Sequence, residues 1–103
     1  TVIGTPEYMA PEQVAGAEVT SLVDIYAAGC VLYECLTGKP PFTAATPYEL
    51  IAKLLEEKAP SPRSLNAEVP PDLDALIMAA ISKDPAGRPQ TALALHDRLA
   101  KIG

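Results

Sequence analysis

The stretch Leu22-Val23-Asp24-Ile25-Tyr26-Ala27-Ala28-Gly29-Cys30-Val31-Leu32-Tyr33-Glu34-Cys35-Leu36 decides how the rest of this 103-residue chain is read. Asp24 and Glu34 are its only charged positions, and no proline interrupts it. Thr20 or Ser21 is suited to cap a helix here, and Gly38 followed by Pro40 and Pro41 is a strong stop, so the spacing predicts a helix to about Thr37. Its apolar residues fall on every side instead of forming one stripe. A helix of that kind is expected to be surrounded by neighbouring segments. Burying one large aliphatic side chain contributes about 1.5–3 kcal/mol, so leaving half of this helix in water would forgo on the order of 10 kcal/mol.

Working outward, residues 1–9 read as an extended loop. Ala10-Pro11-Glu12-Gln13-Val14 then suits a short helix with Pro11 at its first position, ended by Gly16. On the other side, Thr46-Pro47-Tyr48-Glu49 has the form of a capping box, and Leu50, Ile51, Leu54 and Leu55 are the expected buried face of the helix it opens. Glu49 and Lys53 are placed to pair on the wet side. Residues 59–71 contain four prolines and read as an ordered loop. Beyond it Leu73, Leu76, Ile77, Ala80 and Ile81 make a helical stripe, with Asp72 and Asp74 favouring the helix N-terminus. A last helix is expected from about Thr91, with Ala92, Leu95, Leu99 and Ile102 inward. The fold class is therefore all-α, with neither internal repeats nor low-complexity tracts.

Composition narrows the function. Hydrophobic residues make up 49% and charged ones 20%, which fits a folded chain with apolar surface to bury. Eight Lys and Arg against 13 Asp and Glu leave a net charge of −5, so no long-range attraction favours nucleic acid or an anionic membrane. Residues 25–33, the longest nearly apolar run, are about half of a bilayer span, and no charged-then-apolar leader opens the sequence. A cytoplasmic location without membrane contact is the expectation. Cys30 and Cys35, five apart on one helix, point about 140° away from each other and cannot bridge, so both read as core residues. His96 lacks a second histidine or cysteine nearby and reads as a surface residue; no metal site is expected.

The run Gly4-Thr5-Pro6-Glu7-Tyr8-Met9-Ala10-Pro11-Glu12 resembles the end of the activation segment of eukaryotic-type serine/threonine protein kinases, including the bacterial ones. Asp24-Ile25-Tyr26 with Gly29, then Leu36-Thr37-Gly38-Lys39-Pro40-Pro41-Phe42, is similar to the central F helix and its exit loop. Lys83-Asp84-Pro85 with Arg88-Pro89 is similar to the turn between helices H and I. The resemblance implies residues 1–103 to be a partial kinase domain, the substrate-docking part of its C-terminal lobe: a short helix after the Ala-Pro-Glu motif, then helices F, G, H and I around a central helix F. No Val-Ala-Ile-Lys, His-Arg-Asp or Asp-Phe-Gly string occurs in these residues, nor a Gly-x-Gly phosphate loop. ATP and Mg²⁺ are thus implied for a parent domain and not for this segment, which is expected to be inactive alone and to depend on the remainder of the kinase domain.

Residue by residue, the resemblance implies that Thr5 is an auxiliary group orienting the catalytic aspartate, with serine or threonine of a protein substrate as acceptor. Val2, Pro6 and Met9 match the apolar pocket for the substrate residue after the acceptor, or else simply pack the loop. Thr1 matches the activation-loop phosphosite, four residues before Thr5, although its arginine partner is not in this sequence. Glu12 and Arg88 match a structural ion pair. Asp24 matches an anchor for backbone amides of the catalytic loop; equally, it is a carboxylate in the first turn of its own helix. Glu34 matches a position that contacts a basic substrate residue and hydrogen-bonds the tyrosine at Tyr8. A non-catalytic helical interaction module and a pseudokinase remnant are the alternatives to an active parent.

Overall fold

Glycines and prolines divide the chain into helices, and the computed structural model, which describes residues 6–102, contains no strand among them. A 3-10 turn at Pro6–Tyr8 leads into α1 (Pro11–Ala15), followed by α2 (Leu22–Thr37), α3 (Pro47–Glu56), α4 (Pro62–Leu65) and α5 (Pro71–Ala80). A second 3-10 turn at Pro85–Gly87 precedes α6 (Ala92–Ala100). Local chemistry sets these bounds. The hydroxyls of Thr46, Ser61 and Thr91 accept the amides of Glu49, Ser64 and Ala94 at 3.2, 3.3 and 2.9 Å, satisfying donors that a helix start leaves open. Thr20, not Ser21, supplies the hydroxyl at the start of α2, accepting the Leu22 amide at 3.2 Å. Gly38 closes α2 at φ 86°, a left-handed conformation that carries little cost without a Cβ.

α2 is the element about which the others gather: α4, α5 and the Pro6–Tyr8 turn all pack on it. Tyr26, Cys30 and Tyr33 enter one apolar cluster with Phe42, Leu54 and Ile77, while Ile25 enters a second with Leu76, Ala80 and Leu95. Both clusters are made by α2 and α5 together, so these two helices share the core. Gly29 allows their approach. A Cβ built there would lie 2.8 Å from both Ala80 Cβ and Ile81 Cγ2, closer than packed carbon atoms come.

Several expectations are corrected. α2 is not surrounded: Asp24, Val31 and Cys35 are exposed, Val31 by 47%, so one side of the helix faces solvent. Cys35 is accordingly a surface thiol, and only Cys30 is a core residue. On α3, Leu50 and Leu54 are buried, whereas Ile51 and Leu55 are 38% and 43% exposed. The row at 50 and 54 meets the core, and the adjacent row, about 100° around the axis, does not. Lys53 does not pair with Glu49; its ammonium instead donates to the Thr43 carbonyl at 2.7 Å. The capping box at Thr46 is half made, for Glu49 returns no bond to the Thr46 amide. Residues 59–71 are not all loop, because Ser61 and Pro62 start α4. In α6, Leu95 is buried but Ala92 is exposed.

Candidate functional site

The leading segment reaches the bundle through two carboxylates. Ala10 is fully buried against α2, and its amide donates to Gln13 Oε1 at 2.8 Å, which fixes the turn into α1. Pro11 at the first helical position requires no amide partner there. This places Glu12 against the loop ahead of α6. Arg88 Nη1 donates to Glu12 Oε2 at 2.6 Å and Nη2 to Oε1 at 2.7 Å, a two-pronged bond between two buried side chains.

Arg88 does more than neutralise one acid. Its Nη1 also donates to the Leu22 carbonyl at 3.0 Å and its Nε to the Ser82 carbonyl at 2.8 Å, while the guanidinium lies 5.0 Å from the centre of the Tyr26 ring. One side chain thus joins α1, the start of α2 and the end of α5. The bond from Arg88 holds the Glu12 carboxyl below the usual carboxylate range, outweighing the upward push of burial. Its charge is therefore kept in a setting that would otherwise disfavour it.

The second tie is the Tyr8 hydroxyl donating to Glu34 Oε1 on α2. That bond is the main reason the Tyr8 phenol is pushed up to about 12, since ionisation would remove the proton it donates; desolvation and the nearby Glu34 charge push the same way. Met9, between these anchors, is half-buried. Below them the Tyr26 hydroxyl is buried with no hydrogen-bond partner among the described residues, and the Cys30 thiol beside it is pushed up to about 12 by burial. A thiol protonated at neutral pH is a poor nucleophile, so Cys30 is packing.

Thr1, Val2 and Thr5 lie outside the described residues, and Pro6 opens the first 3-10 turn. Asp24 stands exposed in the first turn of α2. His96 is exposed on α6, with Nδ1 3.4 Å from Asp97 Oδ1. Among the described residues no three His, Cys, Asp or Glu side chains come together as a metal ion needs. These residues do not fit a Mg²⁺-nucleotide site. No described helix is long and apolar enough to cross a membrane.

Two positioning residues escaped the sequence reading. Asp74 Oδ1 accepts the Arg63 amide at 3.0 Å and ties α4 to α5. Its value at a helix start was visible, but its partner lies on an element the prolines had hidden. Lys83 donates to the carbonyls of Leu54 and Lys53 at 2.6 and 3.3 Å, a cation on the C-terminal end of α3, and sits 4.5 Å from the centre of the Phe42 ring. Nothing local in the sequence pointed Lys83 toward α3.

The family model described as protein kinase domain matches residues 1–99. The chain belongs to the protein kinase domain family. Within that family it is similar to the serine/threonine-protein kinase PknB of Mycolicibacterium smegmatis, 41% identical over 101 residues that cover 98% of this chain and 16% of the relative. PknD of Mycobacterium tuberculosis is 48% identical over 104 residues, covering 96% of this chain and 16% of the relative. PknB of Mycobacterium leprae is 39% identical, with 98% and 16% covered. The chain therefore spans about one sixth of the length of these kinases. The helical bundle and the tied leading segment are parts of a protein kinase domain.

Proposed function

We propose that this segment is the substrate-docking part of the C-terminal lobe of a serine/threonine protein kinase whose other parts bind ATP and Mg²⁺ and carry the catalytic aspartate. In this reading α2, α3, α5 and α6 correspond to helices F, G, H and I. The observation that carries it is the buried bond between Glu12 and Arg88, which joins the Ala-Pro-Glu motif to the Arg-Pro turn across 76 positions of sequence. Substrate selection needs a loop held in one shape, because a mobile loop loses binding energy to ordering. Two carboxylate anchors on either side of Met9 supply that constraint.

On this basis Thr5 orients the catalytic aspartate toward a serine or threonine hydroxyl. Val2, Pro6 and Met9 receive the following residue of the protein substrate, and Thr1 is the phosphosite. Glu34 is already engaged by Tyr8, and its second oxygen is the one suited to a basic substrate residue. Asp24 accepts backbone amides from the catalytic loop of the parent, in keeping with its exposure on the open side of α2. The parent works where ATP is found, in the cytoplasm.

The second reading is a non-catalytic interaction module or pseudokinase remnant. It draws on α3, whose Tyr48, Ile51 and Leu55 leave 86%, 38% and 43% of their surfaces in solvent at helical spacing. Transfer of labelled γ-phosphate from ATP to a mixture of protein substrates separates the two. The full-length natural protein is expected to label serine and threonine, and the 103-residue chain alone to give no label above buffer. Labelling by the isolated chain refutes the proposal, and a silent full-length protein shifts the assignment to the module.

A further inference from the structure

The chain is acidic, yet three of its five lysines line one hollow. Lys39, Lys53 and Lys58 surround a recess of about 240 Å³ between the end of α2 and the end of α3, with Glu57 as its only acid. The local excess is two positive charges on a chain whose net charge is −5. Charges of one sign gathered in a concave place act on a ligand together, where scattered surface lysines do not.

The recess is held in shape by bonds that do not consume those charges. Gly38, in the left-handed conformation, turns the backbone so that Lys39 leaves α2, and the Thr37 hydroxyl lies 2.9 Å from both the Tyr33 and Lys39 carbonyls. The buried Tyr33 hydroxyl donates to the Pro60 carbonyl at 2.7 Å, tying the floor to the segment after α3. Lys53 spends one N–H on the Thr43 carbonyl at 2.7 Å, which fixes its ammonium at the rim with two donors left. Lys39 and Lys58 are exposed. Pro41 and Phe42 are buried beneath, giving the cations an apolar base.

We propose that this hollow docks an acidic peptide segment, its carboxylates meeting Lys39, Lys53 and Lys58 and its backbone lying over the proline-lined floor. The inference rests on the kinase reading only in taking the peptide to be part of a protein substrate, away from the residues around the acceptor. Charge complementarity selects the occupant, since a basic or neutral segment gains nothing from three ammonium groups. Rim lysines act mainly on encounter and on salt dependence, so the attraction fades as salt is added.

The test is fluorescence polarisation with the full-length natural protein and a fluorescein-labelled poly-glutamate peptide, beside a poly-lysine peptide and an otherwise neutral phosphoserine peptide. No nucleotide is added, so the result is independent of whether the protein transfers phosphate. Poly-glutamate is expected to bind in low salt, and the double variant Lys39→Glu, Lys58→Glu to weaken it by about 10-fold or more. The variant Lys101→Glu, outside the hollow, is expected to bind as the unaltered protein does. Equal weakening by Lys101→Glu reduces the effect to net charge and overturns the proposal. So does absence of poly-glutamate binding, unchanged binding by the double variant, or binding of the phosphoserine or poly-lysine peptide alone. Should circular dichroism show the charge reversal to be misfolded, Lys39→Gln with Lys58→Gln is read by the same criteria.

Discussion

α2 is held on one side by shape and on the other by charge. Toward α5 it presents Gly29, Tyr26 and Ile25, and the two helices approach so closely that a single added methyl finds no room. Toward the leading segment it presents Glu34 and the Leu22 carbonyl, and there directed bonds from Tyr8 and Arg88 are added to the packing of buried Ala10. Close packing tolerates changes in pH and salt but not in volume. Directed ionic bonds tolerate small shifts in shape but lose their strength when one partner is removed or changes protonation. A kinase segment built this way keeps its scaffold constant while the leading segment is fastened by separable ties.

Removing the guanidinium is the harshest way to break that contrast. Arg88→Ala leaves the buried Glu12 carboxylate without its counter-charge and the carbonyls of Leu22 and Ser82 without their donor. A loss of about 3–5 kcal/mol is expected in urea unfolding. The informative comparison is the pair Glu12→Met with Arg88→Met, which removes both charges together. It should lose far less than Arg88→Ala, because most of the single-variant cost is the stranded acid. Equal losses would locate the stabilisation in the carbonyl bonds of Arg88 instead.

Gly29→Ala tests the other side. The new Cβ falls 2.8 Å from Ala80 Cβ and Ile81 Cγ2, and the former has no flexible end to swing away. Overpacking of this kind costs about 1–3 kcal/mol. The signature is what the loss does not depend on: it should be the same in low and high salt, whereas that of Arg88→Ala should shift with pH as Glu12 titrates. A gain in stability from the better helix propensity of alanine would show that α5 can retreat and that the approach is not tight.

How much of this was legible differs between the two sides. The bundle and α5 could be read because a five-residue stripe at helical spacing has one physical solution. The buried Glu12 and Arg88 were legible only through the likeness of their motifs, since residues 76 apart carry no local sign of contact. α3 shows where periodicity stops. Its rows Leu50–Leu54 and Ile51–Leu55 are equally apolar, and which one is covered depends on the position of α1, the Pro6–Tyr8 turn and Phe42. The same holds for Val31 and Cys35, apolar residues on a side that these residues leave in water. α4 was hidden by the four prolines around it, although Ser61-Pro62 is itself a helix start. The lysine-lined hollow had no sequence signature at all, because Lys39 and Lys58 converge only through the fold.

The mildest perturbation concerns the bond between Tyr8 and Glu34, and its sign can be worked out. The phenol ionises near 12 in the folded chain against 10.0 for the free side chain, so the folded state binds the proton more tightly than the unfolded state does. The contribution of this bond is complete below the unfolded value and is lost as pH rises through the folded one. The phenolate absorbance of the protein minus that of Tyr8→Phe isolates this group from the other three tyrosines. Its midpoint is expected near 12 and, in Glu34→Ala, displaced back toward 10.0, since both the acceptor of the phenol's hydrogen bond and the charge opposing the phenolate are gone. An unchanged midpoint would mean that solvent, and not Glu34, governs Tyr8. The polar fastening of the leading segment would then fall to Arg88, with the packing of buried Ala10 beside it.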